Sequence, residues 1–407
     1  MTKVLQINIV ANWGSTGRIA EQIGEKVIAR GWESYIAYGR WKNPSKSRLL
    51  KIGFSWEHRL HHHLSKFTDK HGLYSSWATR RFIRKIKKIK PDIVHLHNIH
   101  GAYINYKVLF SYLRKANIPV VWTLHDCWAM TGHCAYFDFA NCNRWQSGCY
   151  DCPQLGSYPK SKIDNSCNNY KIKQETFSSL ANQLHLVPVS SWLANVVRHS
   201  FLKDSSPFVI HNGIHVDEFY PHDIATLHKK YDIAEKYVIL GVASPWSKRK
   251  GLQDFYKLHN LLPQNKYQIV LIGLNQQQIS DLPMDIIALQ QTSSVEELAE
   301  WYSAANVFVN PTYEDTYPTT NLESISCGTP VVTYRTGGSP ESVTINTGRV
   351  VEQGDVEGVV KAIEELCAED RDTMRKRCRE YALEHFDRDK NYDKYIDLYE
   401  NIIKTQI

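Results

Sequence analysis

Residues 307–341 read VFVNPTYEDTYPTTNLESISCGTPVVTYRTGGSPE, apolar runs of strand length separated by loops rich in acidic and small polar residues. The pattern predicts a strand over Val307–Val309, closed by Asn310-Pro311, and then a helix starting near Tyr317. Pro318 suits a first helical position, where no backbone N–H is required. The helix carries Glu323 and ends at Gly328, and a second strand, Val331–Tyr334, runs into Gly337-Gly338. Parallel α/β sheets bind ligands at the C-terminal edges of such strands. Helix capping accounts for Asp315, Thr319 or Thr320 taken singly, but not for the block as a whole.

Strands and helices alternate through the rest of the chain as well. The same series includes strands over Tyr237–Ala243, Gln268–Ile272 and Ile286–Leu289, and Ser294-Val-Glu-Glu297 fits a capping box before a helix ending at Ala305. An earlier series runs through Lys3–Val10, Ser34–Tyr38, Asp92–His97, Pro119–Leu124, Leu184–Val189 and Phe208–Ile210. Its first strand opens into Ala11-Asn-Trp-Gly14-Ser-Thr-Gly17 and a helix reaching about Gly31, a turn that presents backbone N–H groups to an anion. Alternation of this kind indicates parallel, doubly wound sheets, and 407 residues exceed what one hydrophobic core usually serves. We expect a first Rossmann-like domain over residues 1–211, a hinge over 212–235, and a second Rossmann-like domain over 236–387. A closing helix over about 388–407 can pack on the first domain.

The net charge of +7 conceals an asymmetry: residues 1–200 hold 28 Lys and Arg against 11 Asp and Glu, and acidic residues dominate the remainder. Different partners are expected for the two halves. The excess concentrates in Arg80–Lys90, RRFIRKIKKIK, with Phe82, Ile83, Ile86 and Ile89 at helical spacing. Such a segment is either a surface helix with its apolar stripe in the core or an in-plane contact with anionic headgroups, helped by Phe54, Trp56, Tyr74 and Trp77. No nucleic-acid motif accompanies the basic patch, so nucleic acid is not expected as a partner. No apolar run approaches membrane-spanning length and no secretory leader is visible. A cytoplasmic location is therefore expected, with peripheral attachment to the inner face of the cell membrane as the variant that the basic half suggests.

The block from Asp315 to Glu323, followed by Ser-Cys-Gly-Thr-Pro-Val-Val and Gly-Gly-x-Pro-Glu, resembles the donor-site signature of the retaining GT-B glycosyltransferases of family 4. Other fragments follow that family's order: the Gly14–Gly17 loop, Thr123-Leu-His-Asp126, Pro188-Val-Ser-Ser-Trp192, Val209-Ile-His-Asn-Gly-Ile214 and Lys250-Gly251. The resemblance implies an α/β fold of two Rossmann-like domains facing one another across a cleft, and transfer of a hexose from a UDP- or GDP-sugar with retention at the anomeric carbon. It implies that Lys250 binds the diphosphate, that Glu323 accepts hydrogen bonds from the ribose hydroxyls, and that Asp315 holds a donor-sugar hydroxyl. Backbone amides of Tyr317, Pro318's neighbours Thr319 and Thr320, and those of the Gly14–Gly17 loop would approach sugar or phosphate. His125 resembles the histidine that faces the donor sugar. Relatives commonly carry an arginine about six residues before the lysine; Ser244 stands there, and Arg249 is the substitute cation. The usual first acid is Glu, so Glu314 competes with Asp315 for that role. A metal is not expected in catalysis, because a fixed cation and helix N-terminal amides can stabilise a leaving diphosphate.

Six of nine cysteines lie between positions 127 and 167, and Cys134, Cys142, Cys149 and Cys152 follow C-x7-C-x6-C-x2-C. A structural zinc on these four, unligated or redox-variable thiols, and disulfides stand as alternatives. Trp128, Tyr136, Phe137, Trp145 and Tyr158 in the same loop are expected to cover a sugar or lipid-linked acceptor. Transfer to a growing surface polysaccharide or lipopolysaccharide, with a lipid-linked acceptor on an anionic membrane surface, is the function expected. A nucleotide-sugar epimerase, a glycan phosphorylase and a non-catalytic nucleotide-sugar binding protein are its rivals.

Overall fold

A computed structural model describes residues 1–406. The chain divides into two units, one formed by Met1–His211 with the segment from Tyr392 onward, the other by Asn212–Asn391. Residues 212–235, read from sequence as a hinge, fall within the second unit.

The first unit is built on β1 (Lys3–Asn8), β2 (Glu33–Tyr38), β3 (Arg48–Lys51), β4 (Ile93–Leu96), β5 (Val120–Leu124) and β6 (Leu184–Pro188). All pair in parallel in the order β3-β2-β1-β4-β5-β6. Its helices are α1 (Gly14–Ala29), α2 (Ser55–Thr68), α3 (Ser76–Ile89), α4 (Tyr106–Ala116), α5 (Ser166–Ser178) and α6 (Ser191–Arg198). The second unit carries α7 (Ala225–Tyr231), α8 (Leu252–Leu261), α9 (Gln276–Asp281), α10 (Val295–Ala304), α11 (Thr319–Ser326), α12 (Val356–Ala368) and α13 (Arg371–His385). Its strands are β7 (Tyr237–Val242), β8 (Tyr267–Ile272), β9 (Ile287–Leu289), β10 (Val307–Asn310), β11 (Val331–Tyr334) and β12 (Gly348–Val351), ordered β12-β11-β10-β7-β8-β9. The final helix is α14 (Arg388–Gln406).

Both sheets therefore share one topology. Strand order reverses beside the first strand of each, between β1 and β4 in one and between β7 and β10 in the other. Ligand crevices in open parallel sheets form at the carboxyl ends of strands at that reversal.

Apolar strands buried on both faces make each core. In the first unit Val4, Ile93, Val121 and Val187 from adjacent strands meet Ile19, Ile23 and Val27 of α1, and Tyr392, Tyr395 and Tyr399 of α14 join the same cluster. The apolar stripe of α3 is likewise turned inward, with Phe82 and Ile86 buried.

Three sequence expectations change. Phe208–Ile210 is not a strand: it follows β6 through two bonds, Phe208 N–H to Leu186 O at 3.0 Å and Ile210 N–H to Pro188 O at 3.3 Å, and Pro207 before it offers no N–H. Strands β3 and β12 escape the sequence pattern because they are short edge strands, whose exposed side does not demand apolar residues. The cap of α10 is also shared differently: Ser294 accepts from Glu297 N–H, but the Glu297 carboxylate accepts from Ser293, its N–H at 2.6 Å.

Candidate functional site

At the reversal point of the second sheet, two loops leave adjacent strands. The loop after β7 ends in the turn Lys248–Lys250, and the loop after β10 runs from Pro311 to Pro318. They are bonded together: Tyr313 N–H donates to Arg249 O at 2.7 Å, and Arg249 Nη1 donates to Glu314 O at 2.6 Å. Gly251, with φ +74°, lets them approach, since a Cβ there would lie 2.1 Å from Pro311 O. Gly337 does the same on the other side: its φ is +52°, a Cβ would lie 1.9 Å from Asp315 O, and the Gly338 N–H donates to that oxygen at 3.0 Å.

This clamp fixes the two charged side chains that sequence singled out. Lys250 Nζ donates to Asp315 Oδ2 at 2.5 Å, and both side chains are only partly exposed. Glu314 is buried, and its carbonyl accepts from Arg249 and from Thr312 Oγ1. Asp315 is thus the acid paired with the lysine.

Pro318 is the N-cap of α11 and not its first residue, and the helix begins at Thr319 rather than near Tyr317. Pro318 has extended ψ of 120° and makes no side-chain cap bond, so α11 starts without a cap from its N-cap residue, four positions after Asp315 in the chain. Thr319 and Thr320 are half-buried, whereas Tyr317 is buried. Glu323, one turn into α11, accepts from Tyr302 OH at 3.0 Å. Burial and the Glu323 charge together push the Tyr302 hydroxyl well above its ordinary value, so it stays a donor to that carboxylate. Beneath lies a buried polar lattice: Asn310 Nδ2 donates to Asn321 Oδ1 at 2.8 Å, and Asn321 Nδ2 donates to Ser342 Oγ at 3.0 Å. Such fully bonded networks hold a helix start rigid.

In the first unit the glycine loop opens α1 at Gly14, where a Cβ would meet nothing within 4 Å; Gly17 lies inside the helix against Val10 and Asn12. His125 follows β5 and is bonded to a residue the sequence reading missed. Its Nε2 lies 3.1 Å from His97 Nδ1, and His97 Nε2 lies 2.9 Å from Gln6 Oε1. Gln6 donates its amide N–H to Ala20 O at 2.7 Å, which fixes the oxygen toward His97. Burial holds His97 neutral, so its one proton sits on Nε2 and its Nδ1 must accept. His125 therefore donates from Nε2 and keeps Nδ1 as its acceptor end. Burial also pushes the His125 ring down to about 4, against the opposing pull of Asp126. The spacing His95-Leu-His97 on one strand face was the available signal, since alternate strand residues point the same way. His95 joins Thr123 Oγ1 at 2.8 Å and Tyr399 OH at 2.5 Å.

The loop after His125 corrects another expectation. Trp128, Phe137 and Trp145 are buried, Trp128 against Tyr106 of α4 and Phe177 of α5 and Phe137 stacked on Trp145 at 4.8 Å, so they pack the protein's interior rather than forming a cover; Tyr136 is half-buried and Tyr158 exposed. Two of its cysteines pair, Cys134 hydrogen-bonded to Cys152, and no three of the four bring their sulfurs within metal-binding distance of one another among the described residues. All four are free thiols here.

Comparison with known proteins agrees with this architecture. Sucrose-phosphate synthase of Thermosynechococcus elongatus superposes with a TM-score of 0.72 at 17% identity, covering 100% of both chains. Anabaena HepE, solved in complex with UDP and glucose, superposes with a TM-score of 0.69 at 14% identity over 98% of this chain and 100% of its own. The fold is that of GT-B glycosyltransferases. Residues 16–218 match the family model described as Glycosyltransferase Family 4, and residues 223–385 match that of Glycosyl transferases group 1. The chain belongs to this family, the group 1 glycosyltransferases of family 4. WcaC of Escherichia coli (strain K12), whose name makes it a colanic acid biosynthesis glycosyl transferase, is 25% identical over 230 residues, 52% of this chain and 54% of WcaC. The chain spans about half the length of the curated relatives it matches. Among the described residues no helix is long and apolar enough to cross a membrane.

Proposed function

We propose that the chain transfers a hexose, with retention, from a nucleotide diphosphate sugar to a growing, lipid-linked cell-surface glycan. The observation that carries this reading is the Lys250–Asp315 pair in the loops at the β7/β10 reversal, the second of which leads into α11. In this reading a diphosphate displaces Asp315 as the partner of Lys250, and the α11 amides share its charge. Asp315, released, turns to a donor-sugar hydroxyl, Glu323 binds the ribose diol, and Arg249 is a secondary cation held by the Glu314 carbonyl. As the glycosidic bond to phosphate breaks, charge grows on the leaving oxygens, where Lys250 acts most strongly. That oxygen then assists removal of the acceptor's proton. His125 would face the donor sugar, as the family resemblance implies.

HepE, with UDP and glucose bound, supports a uridine nucleotide sugar as the donor to try first. WcaC's name supports polysaccharide as the product class. The membrane part of the proposal draws on the first unit's surface: Phe54, Trp56 and Trp77 are exposed, and Arg80, Arg84, Lys85, Lys87 and Lys88 line the outward side of α3.

A thermal-shift screen with UDP, GDP, ADP and their sugars tests the donor, because a ligand bound only by the folded state raises Tm. One nucleotide diphosphate series is expected to stabilise the protein. No shift with any of them contradicts the reading, and a pyridoxal chromophore in the purified protein would point to a phosphorylase. Sedimentation with phosphatidylglycerol vesicles at low salt tests the membrane part, where loss of binding in Trp56→Ala with Trp77→Ala is expected and no binding of the unaltered protein refutes it.

A further inference from the structure

We propose that Asp69, His71 and His133 hold a divalent transition-metal ion that ties the loop following His125 to the end of α2. Between β5 and α5 the chain runs for about forty residues whose regular structure, among the described residues, is the single turn Arg144–Gln146. Loops of that length are uncommon without a functional or structural tie.

Three observations point to the site. The first is geometric: each of the three residues offers one ligand atom, and these atoms all lie within 4.8 Å of one another. Two contacts meet at a single carboxylate oxygen. His133 Nδ1 donates to Asp69 Oδ1, and His71 Nε2 lies 3.7 Å from the same oxygen. Ligand atoms about 2.0–2.2 Å from a tetrahedral ion stand roughly 3.3 Å apart, so small shifts of the two rings would seat it.

The second observation is burial. The Asp69 and His133 side chains are fully buried and that of His71 is 9% exposed. His71 Nε2 and His133 Nε2 are buried there without a hydrogen-bond partner in the protein, and buried polar atoms of that kind are rare. A buried carboxylate also needs a cation beside it. Lys173, the buried ammonium of α5, is directed at two carbonyls, Trp128 O at 2.7 Å and Thr131 O at 2.9 Å.

The third is outer support. Asp69 caps the end of α2 with a left-handed backbone, φ +56°, a conformation that Asp tolerates better than most residues. Its Oδ2 accepts from Asn165 N–H at 3.0 Å and from Asn169 Nδ2 at 3.3 Å. Gly72, beside His71, donates its N–H to His61 Nε2 at 3.2 Å. Bonds of this outer kind orient the ligands of a metal. Because Asn165 and Asn169 stand at the start of α5, the ion would draw together α2, α5 and the loop that precedes α5. On binding it takes the place of the proton between His133 and Asp69, which leaves to solvent. Two imidazoles and a carboxylate suit zinc or ferrous iron, with water in the remaining positions. With every ligand side chain at least nine-tenths buried, the ion holds the fold together and does not meet a sugar.

Metal content and ligand chemistry test the proposal. Untagged, intact protein is purified without added metal or chelator, its first-row metals are measured by mass spectrometry, and X-ray absorption is recorded at the edge of the metal found. About one ion per chain, with nitrogen and oxygen neighbours at about 2.0–2.2 Å, is expected. His71→Ala and Asp69→Asn should lose the ion. His222→Ala should retain it, although His222, Glu296 and Glu300 form another such group, partly exposed, among the described residues. Chelation of the unaltered protein should lower Tm, and added zinc should restore it. Should the first two variants fail to fold, the absorption spectrum of the unaltered protein and the response of its Tm still decide. Sulfur neighbours, or loss of the ion in His222→Ala with retention in His71→Ala, would overturn the proposal. Metal-free protein whose Tm zinc does not raise would overturn it equally.

Discussion

The two sheets have the same strand order, yet their reversal points are furnished differently. In the second unit the reversal holds fixed charges, Lys250 against Asp315, with Glu323 behind them. Near the reversal of the first unit lie neutral rings: His97 is hydrogen-bonded to His125 and Gln6, and His95, whose ring lies against that of His97, is hydrogen-bonded to Thr123 and Tyr399. Fixed charge suits binding of a charged ligand; a buried neutral relay suits orientation of a single nitrogen. One frame can thus carry two kinds of polar chemistry, decided by a few side chains at strand ends.

The largest effect expected is on the charged side. Lys250→Ala should lower sugar transfer about 10²–10³-fold, the range for removing one group that stabilises developing negative charge, measured as kcat with the donor found by screening. An equal rate in the variant would remove Lys250 from the chemistry.

Acid should damage the neutral side first. Burial holds His95 at about 3, His125 at about 4 and His97 well below its ordinary value, whereas unfolded rings titrate near pH 6.5. Between pH 6.5 and about 4 the unfolded chain therefore binds more protons than the folded one, and stability falls as pH falls. Hydrogen exchange at pH 6.5 and pH 5 should show protection lost from β4 and β5 more than from β7 and β10.

Next in size is the clamp. Gly251→Ala puts a methyl where Pro311 O stands and holds a left-handed backbone, a strain on the order of 1–3 kcal/mol. A fall in Tm of roughly 2–4 °C per kcal/mol is expected for a unit of this size, read by calorimetry.

The smallest effect sharpens the comparison most. Gln6→Leu removes the acceptor that sets the His97 proton, so His125 loses its fixed tautomer. A fall in transfer of roughly threefold to tenfold fits the ~1 kcal/mol of one hydrogen bond. Nitrogen NMR of the ring should show a single His125 tautomer in the unaltered protein and a mixture in the variant.

Much of the charged site was legible in sequence, because its members lie on two short loops and one helix whose strand, turn and helix signals are local: Val307–Val309, Gly251, Gly328 and Gly337 mark them. The pairing of Lys250 with Asp315 rather than Glu314 was not legible, since the two acids are adjacent and only the loop clamp distinguishes them. The histidine relay was hidden for a different reason. Gln6 lies on β1 while His97 and His125 directly follow β4 and β5, and their contact depends on sheet order, which no local pattern encodes. The aromatic loop misled because composition tells that its rings need burial, but not whether a ligand or the neighbouring helices bury them.

The central claim is that Lys250 exchanges Asp315 for a nucleotide diphosphate. Isothermal titration of the nucleoside diphosphate selected by the screen into the unaltered protein, Asp315→Asn and Lys250→Ala tests it directly. Asp315→Asn should bind at least as tightly as the unaltered protein while transferring no sugar, because its lysine no longer has to leave a carboxylate, and Lys250→Ala should lose about tenfold or more, the equivalent of ~1.4 kcal/mol. Unchanged affinity in Lys250→Ala, or weaker binding in Asp315→Asn, would contradict the account.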